Sequence, residues 1–251
     1  MPFTLAHVAA VLPLLRSKRN RWSATGLILG SITPDFEKFL RLGAHNSYSH
    51  SWASLVYFSF PMALGLAFVF HGVVRNPLIA HLPRPLFQRL ARFRHFDWPR
   101  YCRQHRVRVG LSVLLGASTH LVWDSFTHRE SELVALWPFL RVHCHVGGLY
   151  APVFVVINLL SSVVGVWLVL AALWRLPVAV GASVPPPLPA VTRPRYWGLV
   201  GLVAGVMLLG RLLLASNHLS DIDFIISVLS GMMVGIGVAS VCFRVPAGRV
   251  G

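Results

Sequence analysis

The stretch Leu149-Tyr-Ala-Pro-Val-Phe-Val-Val-Ile-Asn-Leu-Leu-Ser-Ser-Val-Val-Gly-Val-Trp-Leu-Val-Leu-Ala-Ala-Leu-Trp174 contains no charged residue. A helix needs roughly 20 apolar residues to cross the hydrocarbon core of a bilayer, so this segment predicts a spanning helix. Four further stretches, 52–74, 107–124, 196–214 and 224–243, are apolar over comparable lengths. Composition agrees: 55% of the 251 residues are hydrophobic and 12% are charged, with a positive mean hydropathy. Water-soluble domains rarely show that balance. The sequence therefore predicts an all-α polytopic membrane bundle of about five spanning helices, organised as one membrane domain over 1–251.

Residues 1–51 hold two apolar patches too short to span, Leu5–Leu15 and Trp22–Ile32, separated by the basic run from Arg16 to Arg21. They read as interfacial or re-entrant helices packed on the core spans of 52–174. No basic segment precedes an apolar run at the N-terminus, and Pro13 and Arg16 interrupt the run that exists, so no cleaved signal peptide is expected. Residues 175–195 are rich in proline, including Pro185-Pro-Pro187, and read as an extended linker to two C-terminal spans in 196–251.

The formal charge of +15 raises the question of nucleic acid. The arginines cluster in loops between apolar spans rather than on a soluble face with aromatic platforms, so anionic membrane lipid is the expected partner. Between 75 and 106, eight arginines stand against one aspartate. Leu86, Leu90 and Phe93 recur there at helical spacing, with Arg89 and Arg92 on other faces. The segment reads either as a basic amphipathic helix on an anionic leaflet or as a solvated loop. With five spans, one side of the membrane receives eight Lys or Arg and the other, holding the first loop, third loop and C-terminus, receives thirteen. The richer side is expected to be cytoplasmic, although the run from Arg16 to Arg21 opposes this. Cys102, Cys144 and Cys242 have no C-x-x-C spacing, and Cys102 and Cys144 fall on opposite sides, so no disulfide framework is implied.

The polar residues segregate under this topology. His7, Asp35, His45 and His50 precede the first span, while His120, Asp124 and His128 lie at the far end of the second. His143 and His145 occupy the second loop, and His218, Asp221 and Asp223 the fourth. All of them fall on one side. His120 and Asp124 are four residues apart, so a helix stacks them on one face, and His128 extends the row by a further turn. An imidazole and a carboxylate so placed can share a divalent cation. H-x-x-x-D also arises without any metal, but a polar residue recessed in a span is a functional candidate by default. His143 and His145 alternate in an extended segment and could add ligands.

The opening Met1-Pro-Phe-Thr-Leu-Ala-His7, the segment Gly30-Ser-Ile-Thr-Pro-Asp-Phe-Glu37, the triplet Ser49-His-Ser51 and the stretch His120-Leu-Val-Trp-Asp-Ser-Phe-Thr-His128 together resemble the bacterial membrane family called domain of unknown function 4184. That family is in turn similar to inner-membrane metal-dependent hydrolases. The ligand order is also similar to that of the zinc-dependent phospholipase C and single-strand nuclease superfamily, whose zinc cluster cleaves phosphodiesters. The resemblance implies that His7, Asp35, His50, His120 and Asp124 hold a divalent metal, with zinc expected, in a protein of the bacterial inner membrane. A second H-x-x-x-D/E is lacking, with His128 and His143 as the available substitutes, so one or two ions are implied rather than three.

Residues and resemblance together lead to the expectation of a membrane-embedded metal-dependent hydrolase. Its substrate would be a phosphoester or other ester of a lipid-like or small molecule. Asp35 or Glu37 would serve as base if not a ligand. Arg211 would offer a cation to a phosphate or an anionic transition state, or would simply snorkel to the interface. The alternatives are a non-catalytic scaffold with a structural metal and, less favoured, a transporter. Against a transporter stand ionisable residues near the span ends and the lack of an internal repeat.

Overall fold

Apolar runs without helix breakers become helices, and the computed structural model, which describes residues 3–16, 21–129, 131–179, 191–214 and 220–245, is almost entirely helical. A 3-10 turn, Thr4–His7, leads into α1 (Val8–Leu15), and α2 (Ala24–Ile32) follows. A second 3-10 turn, Thr33–Asp35, joins α2 to α3 (Phe36–Arg41). The long helix α4 (Leu55–His81) precedes the short helices α5 (Arg84–Leu90) and α6 (Trp98–Gln104), and then α7 (Arg106–Asp124) and α8 (Glu132–Leu136). An antiparallel hairpin, β1 (His143–Val146) with β2 (Leu149–Pro152), precedes α9 (Val153–Trp174), α10 (Thr192–Leu214) and α11 (Asp221–Cys242). The chain forms two units: Met1–Asp35, Ser47–Leu64 and His105–Leu173 in the first, and Phe36–Asn46, Gly65–Gln104 and Trp174–Gly251 in the second.

Four described helices, α4, α9, α10 and α11, are long and apolar enough to cross a membrane. The expected second span, 107–124, is the 19-residue helix α7. It stays outside the four because Arg106 and Arg108 open it and Ser112, Ser118, Thr119, His120 and Asp124 dilute its apolarity. Its polar groups are sheltered instead, with Ser112, His120 and Asp124 all buried. α7 runs antiparallel to the start of α4, since Gly110 adjoins Phe60 while Ala117 and Leu121 pack on Leu55.

In the first unit α2 and α7 cross at backbone contact. A Cβ on Gly26 would lie 2.9 Å from Ser112 Cβ. A Cβ on Gly30 would overlap the Val113 carbonyl, and one on Gly116 the Leu27 carbonyl. Lipid supplies no hydrophobic force between helices, so small residues that permit van der Waals contact, together with local hydrogen bonds, must hold such a pair. Ser112 Oγ accepts from Ser23 N at 2.8 Å, and Ser23 Oγ caps α2 by accepting from Gly26 N at 3.2 Å. Val8, Val11 and Leu27 form the adjoining core. α1 and α2 thus match the short packed helices expected for residues 1–51. α9 exposes Leu159, Leu160, Val163, Trp167 and Trp174, as a lipid-facing helix should.

Within α4, π turns at Leu55–Ser59 and Phe70–Val74 each precede a proline, Pro61 and Pro77. A helical proline clashes with the carbonyl four residues earlier, here that of Tyr57 or Val73, and a widened turn relieves the clash. The expected span 149–174 starts as a helix only at Val153. Gly147 and Gly148, at φ 56° and 85°, close a two-residue hairpin turn ahead of it.

In the second unit α10 and α11 repeat the small-residue device. A Cβ on Gly231 would sit 2.9 Å from Ala204 Cα, and one on Gly235 2.6 Å from the Val200 carbonyl oxygen. Tyr196 stacks on His81 with centroids 4.3 Å apart and reaches Ser240 Oγ at 3.0 Å. The basic segment is helical over Arg84–Leu90, and of the Leu86, Leu90 and Phe93 stripe Leu90 packs on the protein. Phe87 and Ala91 are buried against Ile79, whereas Phe93 is exposed. Most of the proline-rich stretch, 180–190, lies outside the described residues.

Candidate metal centre

The close crossing of α2 and α7 sets up the site. Ser31, on the α2 turn that meets Gly116, presents its carbonyl to His120 Nδ1 at 2.7 Å. A carbonyl only accepts, so the proton sits on Nδ1 and the Nε2 lone pair of the neutral ring points inward. The 3-10 turn after α2 delivers Asp35, whose Oδ2 accepts from Thr4 Oγ1 at 2.7 Å. His50 comes from the loop ahead of α4. Ser54 secures that loop by donating to Ser49 O at 2.6 Å and accepting from Ser51 N at 3.1 Å. Ser49 Oγ lies 3.0 Å from His50 Nδ1, which leaves Nε2 as the inward atom of this ring too.

Ligand atoms of Asp35, His50, His120 and Asp124 all lie within 4.8 Å of one another. His50 Nε2 is 3.3 Å from Asp35 Oδ1 and 3.4 Å from Asp124 Oδ2. His120 Nε2 is 3.6 Å from Asp35 Oδ1 and 3.3 Å from Asp124 Oδ2. Charge-assisted hydrogen bonds would be nearer 2.8 Å. Two ligand atoms each about 2.1 Å from one ion at a tetrahedral angle are about 3.4 Å apart, so the observed separations suit convergence on an ion better than direct pairing. Consistently, His120 Nε2 and both Asp124 oxygens are buried without a hydrogen-bond partner. Such atoms cost free energy unless something coordinates them. The donor set of imidazoles and carboxylates fits a divalent cation.

Asp124 also turns outward from this group. Its Oδ1 lies 3.5 Å from His7 Nε2 and 3.7 Å from His128 Nδ1. The His7 ring is buried and stacked on His120, with centroids 3.7 Å apart. His128 Nδ1 is 3.0 Å from the Asp124 carbonyl oxygen. All six expected metal residues, His7, Asp35, His50, His120, Asp124 and His128, thus lie in the first unit around Asp124. Asp35 and His120 side chains are fully buried, while His50 is 18% and His128 31% exposed, so the cluster opens toward those two rings.

The other candidates sit elsewhere in the chain. Glu37 is buried in the second unit and pairs with Arg41 Nε at 2.9 Å. Arg211, also of the second unit, donates from Nε to Leu42 O at 3.5 Å. Asp223 accepts from Ser220 Oγ and from Ala44 N. His143 and His145 flank Tyr150 on one face of the hairpin. His218 lies outside the described residues. Thr4, Ser31 and Ser49, which orient the inward atoms, carry no signal in the spacing of the ligands. All three do fall within the motif segments Met1–His7, Gly30–Glu37 and Ser49–Ser51.

Fold and cluster define an all-α membrane protein with a buried group of two histidines and two aspartates able to hold a metal ion. The chain belongs to the family described as domain of unknown function (DUF4184), whose model matches residues 1–242. No curated protein and no solved structure matches it.

Proposed function

We propose that the chain is a membrane-embedded, metal-dependent hydrolase acting on a phosphoester or other ester of a lipid-like substrate. The observation that carries this reading is the convergence of Asp35, His50, His120 and Asp124 at one end of α7, where His120 Nε2 and both Asp124 oxygens are buried without a hydrogen-bond partner. Zinc suits the donor set, and His7 and His128, at the second oxygen of Asp124, would complete the first ion's surroundings or hold a second. Bound there, a divalent cation supplies a Lewis acid and lowers the pKa of water to about 7. The chain's own residues do the positioning: Thr4 fixes Asp35, the Ser31 carbonyl fixes the His120 tautomer, and Ser49 fixes His50. Substrate would approach past His50 and His128, the exposed edge of the cluster. Asp35 would serve as base only if it is not a ligand. Glu37 and Arg211 are occupied by Arg41 and Leu42. The protein is assigned to the bacterial inner membrane with this centre on the outer face.

One observation favours a second reading, a structural metal in a non-catalytic scaffold: four protein ligands are the complement of a closed site. Elemental analysis of detergent-purified protein and hydrolysis of bis(p-nitrophenyl) phosphate separate the two. The hydrolase carries stoichiometric metal and turns over the ester, and Asp124→Ala or His120→Ala loses the metal and about a hundredfold or more of the rate. Stoichiometric metal without hydrolysis supports the scaffold. Metal-free wild type sinks both.

A further inference from the structure

Two of the eight arginines between 75 and 106 are inside the protein: Arg75 is 6% and Arg94 4% exposed. A buried guanidinium ordinarily meets a carboxylate or a set of carbonyls that takes up its five donors. Arg75 is supplied in that way. Its Nη1 donates to Phe96 O at 2.6 Å, its Nη2 to Arg94 O at 2.9 Å and its Nε to Asn76 Oδ1 at 3.2 Å.

Arg94 is not so supplied. Its Nε is buried without a hydrogen-bond partner. Among the described residues, no carboxylate forms an ion pair with either guanidinium, and the nearby Asp97 accepts through Oδ1 from Arg100 N at 3.0 Å. Burial depresses the Arg94 pKa, which reports the cost of holding that charge away from water. A second orphan donor belongs to the same surroundings. Trp98 is 1% exposed and its indole Nε1 has no partner. Its ring stacks on His71, 5.0 Å away, and His71 Nδ1 lies 2.9 Å from Arg75 Nη1. The region thus holds surplus buried donors and positive charge without a matching acceptor. Phe93 and Phe96 are exposed beside it, in the segment that follows the end of α4.

We propose that Arg94, with Arg75 beside it, forms a binding site for a phosphate-type oxyanion. A phosphate group offers what the site lacks: delocalised negative charge, and several acceptor oxygens that match the planar fork of a guanidinium. The group comes either from a phospholipid headgroup or from free phosphate. The site stands apart from the metal-centre reading, since none of its residues belongs to that cluster.

The test uses full-length protein in detergent after chelator treatment. Calorimetric titration with inorganic phosphate, against sodium chloride, forms one arm. Reconstitution into vesicles of phosphatidylglycerol or of phosphatidylcholine, read by thermal unfolding, forms the other. The expected result is a saturable response to phosphate, to phosphatidylglycerol, or to both. Phosphate alone identifies a free-anion site, and any response to phosphatidylglycerol over phosphatidylcholine identifies a headgroup site. Arg94→Gln weakens the response about tenfold or more, whereas Arg94→Lys retains part of it. The exposed Arg100→Gln leaves it unchanged. Absence of response in both wild-type arms overturns the proposal, as does a response that Arg94→Gln retains in full. Should Arg94→Gln fail to fold, the wild-type arms and Arg94→Lys still decide.

Discussion

Asp124 shows how much one side chain is asked to do. Its Oδ2 faces His50 and His120, and its Oδ1 faces His7 and His128. A carboxylate shared in this way is sensitive to the placement of every neighbour, so residues that never touch an ion should still tune its affinity. Thr4 is the clearest of these, because its hydroxyl holds Asp35 Oδ2 at 2.7 Å and so decides which oxygen turns toward the histidines. Removing such a supporting hydrogen bond costs about 10- to 100-fold in metal affinity. Thr4→Ala is therefore expected to raise the apparent metal Kd by that factor, measured by competition with a chromogenic chelator, while Thr4→Ser stays near wild type. Equal affinities for wild type and Thr4→Ala would remove Thr4 from the site. At this scale the sequence was legible where chemistry has a spacing: His120 and Asp124 are one helical turn apart, and Asp35 and His50 are acids or imidazoles in an acid-poor chain. It was silent on Ser31, whose contribution is a main-chain carbonyl that every residue type possesses.

At the scale of elements, the α2–α7 crossing couples stability to function. Gly30 precedes Ser31, the residue that orients His120, and its missing Cβ lets the Val113 carbonyl approach. Because the obstacle is backbone rather than a flexible side chain, Gly30→Leu must push the helices apart, at a cost of about 1–3 kcal/mol or more. The expected outcome is a lower thermal midpoint and a loss of bound metal together. Gly65→Ala, at a glycine with open space around it, should change neither. Loss of stability with full metal retention would show that the crossing does not position His120. Elements were legible where one period ran unbroken, as in α9 and α11. The placement of Phe93 was not legible, because a 3-10 turn, Ala91–Phe93, follows Leu90 and departs from the 3.6-residue period. The β1–β2 hairpin escaped notice because its strands are only four residues each and β2 merges into the apolar run of α9.

At the scale of the whole molecule, the membrane class was legible from composition alone, while the division into two units was not, since it depends on contacts between segments distant in sequence. α7 illustrates the limit. Its length fits a span, but its polar residues are buried beneath α2, His7 and the loop that carries His50. The arginine counts predict an orientation for a five-span topology, which natural cysteines can check. Cys102, in the basic segment, and Cys144, in the hairpin, are both partly accessible. With each retained as the sole cysteine, a membrane-impermeant maleimide applied to intact cells labels Cys144 and spares Cys102 if α7 crosses with the four long helices, whereas equal labelling of both would show that α7 does not cross. The reverse pattern would place the metal centre on the inner face.

The glycine contact between α2 and α7 has a last consequence, for how this protein can be handled. An ion that joins Asp35, which follows α2, to His120 and Asp124 of α7 can be held only when the two helices have docked. Metal content then becomes a tally of correctly assembled molecules. In a detergent screen the ratio of metal to protein would report the native fraction directly, without an assay for turnover and before any substrate is known.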